Sequence, residues 1–389
     1  MAFSYFTPEH EMFRQAVRRF VEAEINPYVD EWEEARIFPG HALFKKMGAL
    51  GFLGVSYPEE YGGGGGDYWY NVVLGEELGR INCAGVPMAI AVHTDMATPA
   101  LAQHGSHELK KRFLEPAIRG EMISAIGVSE PGAGSDVAGI RTRAVRDGDD
   151  FIINGSKMWI TNGTQADFIT LLVRSDDRIR GFRGMSLIIA PTDTPGFSVS
   201  RKLEKLGNHS SDTAILSFDD MRVPQSHLIG SEGMGFMLQM QQFQKERLIG
   251  SIMATSGMEK IIRMTISYCR ERQAFGAPLL DNQWIHFKLA ELLTEVEALR
   301  QLNYHCVRLM EAGEDITREV SMAKLKAGRL ARETADTCLQ FHGGMGYVEE
   351  YPMARYFRDA RLLSIGGGAD EIMLGIIAKY EGILPERRR

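Results

Sequence analysis

Between residues 121 and 232 the chain abandons the helical spacing that governs it on both sides. The tracts MISAIGVSE, DFIINGSKMWI, FITLLVRS, GMSLIIAP, GFSVSRKL and TAILSFDDMRV are short and rich in β-branched or aromatic residues. Asn-Gly, Asp-Gly, Pro-Gly and Asp-Asp pairs punctuate them, which is the pattern of an antiparallel β-domain. No helical tracts alternate with these strands, so a parallel βαβ sheet is not expected. Before residue 121 the apolar residues Phe13, Ala16, Val17, Phe20 and Val21 recur at steps of three and four, one face of a helix. Thr7 reads as its N-cap and Pro8 as its first turn. Further helical runs are expected at 41–50, 68–80 and 96–118, with Gly62 to Gly66 as a flexible turn between two of them. After residue 232 helical periodicity returns. Phe236, Met240, Phe243, Arg247, Gly250 and Ala254 lie close to one stripe. Residues 281–312 and 316–342 read as two long helices, and a last helix includes Ile372 to Ile383. The expected class is α+β in three domains: helical over 1–120, β over 121–232 and a helical bundle over 233–389.

A chain of 389 residues is too long for one comfortable core, in keeping with several domains. Asp and Glu (51) outnumber Lys and Arg (44), giving a net charge of −7. That argues against general nucleic-acid binding, which relies on basic surface to displace counterions. The cysteines Cys83, Cys269, Cys306 and Cys338 are far apart and form no CxxC, so a reducing compartment is expected rather than a disulfide scaffold or zinc knot. No run approaches the roughly 18 apolar residues of a membrane span, and the first residues carry charges throughout, so the expectation is cytoplasmic. The P-loop GxxxxGK[ST], a Rossmann GxGxxG, HExxH and GxSxG are all missing. His104 and His107 have no further ligand partners, so no metal is expected. Arg387 to Arg389 read as a solvated tail.

Three segments carry possible chemistry. In Val128-Ser129-Glu130-Pro131-Gly132-Ala133-Gly134-Ser135-Asp136, small residues and hydroxyls on a turn let backbone N–H groups approach a flat or anionic ligand. Alone it is also an ordinary Gly-rich turn. In Lys157-Met158-Trp159-Ile160-Thr161-Asn162-Gly163, the tryptophan reads as core or as a platform for a flat ring. In Arg270-Glu271-Arg272-Gln273-Ala274-Phe275-Gly276, followed by Gln283, the arginines suit a pyrophosphate, and Gly276 equally suits a helix C-cap.

Together and in this order, with Gln340-Phe341-His342-Gly343-Gly344-Met345-Gly346-Tyr347 and Arg358-Asp359-Ala360-Arg361 beyond them, these segments resemble the acyl-CoA dehydrogenase family. The resemblance covers nearly the whole chain, with Pro58 to Gly63 and Lys202 to Gly207 fitting as well. It implies FAD between the β-domain and the C-terminal bundle, usually in a homotetramer, and electron-transferring flavoprotein as the electron acceptor. It implies that Ile126, Gly127, Val128, Ser129, Gly134 and Ser135, with Trp159, Ile160 and Thr161, flank the flavin ring. Arg272, Phe275 and Gln283 would reach the cofactor of a neighbouring subunit. Gln340, Phe341, His342, Gly343 and Gly344 would touch its adenosine part. Ala369, Asp370 and Glu371 would also meet the flavin, although the family turn usually reads Thr-Ser or Thr-Asn here and Ala369 removes a hydroxyl. Ser135, Arg247, Gly367 and Gly368 would lie along the acyl-CoA.

The family reaction is α,β-dehydrogenation of an acyl-CoA to the trans-2-enoyl-CoA: a carboxylate takes the α-proton and the β-hydride goes to flavin N5. Many members carry that carboxylate where this chain has Gly367. Either the chain is an acyl-CoA- or flavin-binding scaffold without activity, or the base has moved. A subgroup resembling the isovaleryl-CoA and long-chain enzymes carries it on the first helix of the C-terminal domain, before an Arg. That position reads Gln244-Lys245-Glu246-Arg247-Leu248 here, which favours Glu246 as the base. The resemblance leans toward long-chain, isovaleryl-CoA and citronellyl-CoA dehydrogenases, so a long or methyl-branched, isoprenoid acyl chain is the expected substrate.

Overall fold

The computed structural model describes residues 4–176, 178–179 and 181–385; the three terminal arginines lie outside the described residues. The first part is helical: α1 (Pro8–Phe20), α2 (Val29–Ala35), α3 (Gly40–Ala49), α4 (Tyr68–Leu78), α5 (Gly85–Ala91), α6 (Pro99–His104), α7 (His107–Leu109) and α8 (Glu115–Ile118). Thr7 caps α1 as its sequence predicts. Its side chain accepts the His10 N–H, and the His10 ring accepts the Thr7 N–H in return, so a histidine closes the capping box. Helix α4 is buried on almost every face between α1 and the C-terminal bundle, as an apolar helix without a polar side must be.

The single run expected over 96–118 is instead broken. A wide π-helical turn at Val92–Ala97 separates α5 from α6, another at Lys110–Leu114 separates α7 from α8, and Pro99 and Pro116 begin new turns where a continuing helix would need their N–H groups. The glycine run departs from expectation too. It is knit to the preceding segment rather than loose: Gly63 donates to the Pro58 carbonyl (3.1 Å), Gly64 to Gly54 (2.9 Å), Gly65 to Tyr57 (2.9 Å) and Gly66 to Val55 (3.0 Å).

The middle part is an eight-stranded sheet of β1 (Ser124–Gly127), β2 (Arg143–Asp147), β3 (Asp150–Thr161), β4 (Phe168–Arg174), β5 (Met185–Pro191), β6 (Phe197–Lys202), β7 (Thr213–Pro224) and β8 (Leu228–Ile229). The strand order is β6-β7-β3-β2-β4-β5-β8, with β1 also on β4. Most neighbours are antiparallel, but β1 and β2 each run parallel to β4. The wholly antiparallel expectation therefore fails at β4, because β1 enters from the helical part and must align with a strand distant in sequence. β4 and β5 are covered on both faces and bury nearly every residue.

The last part is a bundle: α9 (Gly235–Glu271), α10 (Gln283–Glu311), α11 (Thr317–His342), α12 (Pro352–Ala360) and α13 (Asp370–Tyr380). A short hairpin, β9 (Gln273–Ala274) and β10 (Ala277–Pro278), follows α9. α13 stops at Tyr380, three residues before its expected end, with Gly382 in a left-handed turn just beyond. The helix–sheet–helix order agrees with the sequence reading.

A Cβ on Gly63 would lie 2.1 Å from the Tyr57 carbonyl oxygen, a distance no side chain tolerates. Gly63→Ala should therefore destabilise the fold by about 2 kcal/mol or more and lower the thermal midpoint by several degrees, as a differential scanning trace would show. A flexible turn would leave the midpoint unchanged.

Candidate active site

The turn after β1 and the end of β3 are tied together by a buried ion pair. Lys157 is fully buried, and its ammonium donates to the Val128 carbonyl (2.9 Å) and the Glu130 carboxylate (2.9 Å). That carboxylate also accepts the backbone N–H of Arg141 (2.6 Å) and Thr142 (2.9 Å). Burial pushes Glu130 up, but Lys157 and these N–H groups outweigh it and hold the carboxyl below its usual range. Burial lowers Lys157 to about 8. Met158 N–H donates to the Ser129 carbonyl (2.9 Å), completing the link.

Strand β3 bulges between Lys157 and Ile160. There Trp159 is forced to φ +62°, a conformation bulky side chains rarely hold. The result is a large indole left 55% exposed. A Cβ on Gly134 would touch its ring at 3.6 Å. Asn162, also at positive φ, fixes the strand end by donating to the Ala89 (3.0 Å) and Ser124 (3.2 Å) carbonyls. Ile126, Ser129, Gly134 and Thr161 are half-buried around this indole-lined recess and Ser135 is exposed, whereas Gly127, Val128 and Ile160 are buried behind it. An outward aromatic face beside small residues and hydroxyls fits a flat heteroaromatic ring with hydrogen-bonding edges.

The stripe on α9 that begins with Phe236 packs on the apolar core that backs the turn after β1. Phe236 and Phe243 pack on the apolar cluster that contains Val128 and Ala133. Glu246, one turn on, is half-buried. A Cβ built on Gly367 would lie 3.3 Å from its Oε1, so helix and loop address the same point. The Arg247 Nε–H donates to the Gly367 carbonyl (3.3 Å), and the Lys324 ammonium donates to the Gly368 carbonyl. Desolvation raises Glu246 to about 7, against the opposing pull of Arg247 and Lys324. Lys324, which sequence reasoning missed, is buried on α11 in line with Val320, Ala327 and Ala331. A lysine in register with that apolar stripe was the available signal. Gly367 takes φ +64°, which glycine adopts freely. Ala369 is half-buried, Glu371 is exposed, and Asp370 is buried, accepting from Arg332 (3.2 Å).

The remaining expected residues gather elsewhere. Arg272, Phe275 and Gln283 stand exposed at the hairpin beyond α9, with Phe275 projecting wholly into solvent at φ +54°. Trp284 packs edge-on against Phe341 (5.3 Å between centroids), which brings the segment 340–344 to the same end of the bundle. There Gln340, Gly343 and Gly344 face outward. Phe341 and His342 do not: both side chains are buried, and the His342 ring stacks on Tyr268 at 4.3 Å. Glu246 and Arg272 lie about 39 Å apart along one helix at its ~1.5 Å rise per residue.

Comparison with known proteins gives one consistent result. The models of the acyl-CoA dehydrogenase N-terminal, middle and C-terminal domains match residues 7–121, 125–221 and 233–381. The chain is 40% identical to the mitochondrial long-chain specific acyl-CoA dehydrogenase of Sus scrofa, over 96% of this chain and 86% of that protein. An acyl-CoA dehydrogenase structure from Geobacillus kaustophilus superposes with a TM-score of 0.94 at 42% identity, covering 97% of this chain and 99% of that one. A glutaryl-CoA dehydrogenase from Mycobacterium smegmatis in complex with FADH2 superposes with a TM-score of 0.91 at 30% identity, covering 98% and 97%.

Removing one partner of the buried Lys157–Glu130 pair leaves a charge without compensation. Lys157→Met should therefore cost about 3 kcal/mol or more in unfolding free energy. The turn over 128–135 should lose protection in hydrogen exchange, whereas an unchanged stability would show that the pair does not organise the recess.

Proposed function

Because the chain belongs to the acyl-CoA dehydrogenase family and is thereby an oxidoreductase acting on acyl-CoA, we propose that it performs α,β-dehydrogenation of an acyl-CoA thioester with Glu246 as the base. The observation that carries this reading is the 3.3 Å between Glu246 Oε1 and the Cβ position of Gly367. The carboxylate missing from the loop is supplied by the helix at the same place. A thioester α-proton is a weak acid, and a base titrating at about 7 is matched to taking it near neutral pH.

The family implies a flavin, and the Trp159 recess fits its ring. Ile126 to Ser135 and Trp159 to Thr161 would hold FAD from the sheet side, with backbone of Ala369 to Glu371 from the bundle side. When bound, FAD supplies the acceptor for the β-hydride. Glu246 takes the α-proton onto Oε1 or Oε2. Arg247 holds the Gly367 carbonyl so that the loop stays open below the base. Phe236 and Phe243 keep water from the reacting carbons. Arg272, at the far end of α9, and Phe275 and Gln283 in the segment just beyond it stand away from Glu246, which supports their serving the FAD of a neighbouring subunit in a homotetramer. With Phe341 and His342 turned inward, Gln340, Gly343 and Gly344 are the part of that segment free to meet the adenosine end. Electron-transferring flavoprotein is the proposed acceptor beyond the flavin. Gly366 to Gly368 remove side-chain volume from the pocket, which supports a long or methyl-branched, isoprenoid acyl chain.

Glu246→Gln should keep FAD and acyl-CoA binding and lose about 10²–10⁴-fold or more in anaerobic flavin reduction. In the parent enzyme that rate should fall as pH drops through about 7, because the base must be ionised. The raised value also means that the native state holds the proton more tightly than the unfolded chain. Its contribution therefore becomes unfavourable as pH rises from the ordinary glutamate value of 4.5 through about 7, and Glu246→Gln should melt no lower than the parent at pH 8. Moving the carboxylate back, Glu246→Gly with Gly367→Glu, should recover part of the rate. Normal flavin reduction by Glu246→Gln would overturn the assignment.

A panel of acyl-CoAs scored by anaerobic flavin bleaching should favour long or branched chains over butyryl-CoA, in a protein that elutes as an oligomer with one FAD per chain. A colourless monomer, or a clear butyryl-CoA preference, would count against the oligomer or the substrate reading respectively.

A further inference from the structure

Lys324 is an anomaly of the bundle. Its side chain is buried, yet no carboxylate lies within 4 Å of its ammonium among the described residues, and its hydrogen bond is to one carbonyl, that of Gly368. A buried ammonium satisfied by a single carbonyl is costly unless a nearby charge compensates it. The carboxylates of Asp370 and Glu246 supply that compensation from beyond 4 Å. The Cβ position at Gly367 lies 3.9 Å from Lys324 Cε and 3.3 Å from Glu246 Oε1, so the lysine stem and the carboxylate flank the same point. We propose that Lys324 is a positioning residue for the reaction, the counter-charge from α11 that favours the ionised form of Glu246 while tethering the glycine loop beneath it. The inference rests on the reading of Glu246 as the base.

The charged groups around this point are few. Arg247, on the same helix as Glu246, acts on it directly but spends its Nε–H on the Gly367 carbonyl. Lys324 approaches from α11. Asp370, from the first turn of α13, acts on Lys324 and in turn holds Arg332. Burial lowers Lys324 to about 8, so it is charged where the enzyme works and discharges just above. A purely structural lysine would fix the loop without affecting the charge state of Glu246. A counter-charge would shift the pH at which Glu246 can accept a proton. Its removal raises the pKa of the carboxyl, because the ionised form loses one of the two cations that act on it.

The two roles separate in Lys324→Gln, which keeps a donor for the Gly368 carbonyl and removes the charge. The measurement is the pH dependence of the anaerobic flavin-reduction rate of the FAD-loaded enzyme with palmitoyl-CoA, beside FAD content and thermal midpoint. The acid limb should move up by about one pH unit, which lowers the rate at pH 7 about five-fold, while rates converge with the parent by pH 9. Lys324→Arg, which restores the charge, should return the limb toward its original place. Asp370→Asn, which withdraws the carboxylate that supports the lysine's charge, should move the limb in the same direction as Lys324→Gln and by less; it carries the test if Lys324→Gln fails to hold FAD. A limb unmoved in these charge-removing variants, with Glu246→Gln inert, overturns the role of Lys324 and leaves the base in place. Normal reduction by Glu246→Gln removes the base and this inference with it.

Discussion

A carboxylate set beside apolar chain and ring is unstable as an anion unless the protein surrounds it with compensating charge, and most of the bundle around Glu246 answers that requirement. Helix α9 carries it at the end of an aromatic stripe. Arg247 follows it on the same helix, and α11 brings Lys324 from the opposite side. Both cations are fastened to consecutive carbonyls of the Gly367–Gly368 loop. The loop in turn leads into Asp370 and the start of α13. Carboxylate, cations and loop are thus one electrostatic unit assembled from three segments distant in sequence.

The sheet makes a complementary contribution. It offers no candidate base, but it provides a rigid wall. The Lys157–Glu130 pair locks the turn over 128–135 to β3, and the bulge that follows spends backbone strain to aim Trp159 outward. Strain of this kind persists only where neighbouring contacts over-determine the conformation. Here the Met158 N–H, the Lys157 ammonium and the Asn162 amide do so on either side of the indole.

Much of this was legible in the chain itself. Periodicity of 3.6 marked α1, α3, α4, α9, α10 and α11 because each has one or more apolar faces, and β-branched tracts marked six of the eight strands. The π-helical turns around α6 and α7 were not legible, since one extra residue per turn leaves the composition unchanged. The parallel seating of β1 on β4 depends on where α8 delivers the chain, which no local pattern encodes. The glycines over 62–66 looked loose because composition shows the missing side chains and not the carbonyls that fill their place. At the site, Glu246 could be named from the residue beside it, whereas Lys324 was marked only by its register with the apolar stripe of α11. A lysine is ordinarily a surface residue, and only the packing of α11 against α9 turns this one inward. Phe341 and His342 show the reverse, two residues of a segment expected to meet the cofactor whose side chains serve the core instead.

The 37-residue span of α9 has a genetic consequence. If each chain keeps its base near one end and lends its hairpin to a neighbour from the other, a lesion in Glu246 and a lesion in Arg272 damage different sites in the assembled enzyme. Two inactive alleles, one of each kind, would then assemble into mixed particles containing some intact sites. Complementation between alleles of one gene would follow from nothing more than the length of a helix.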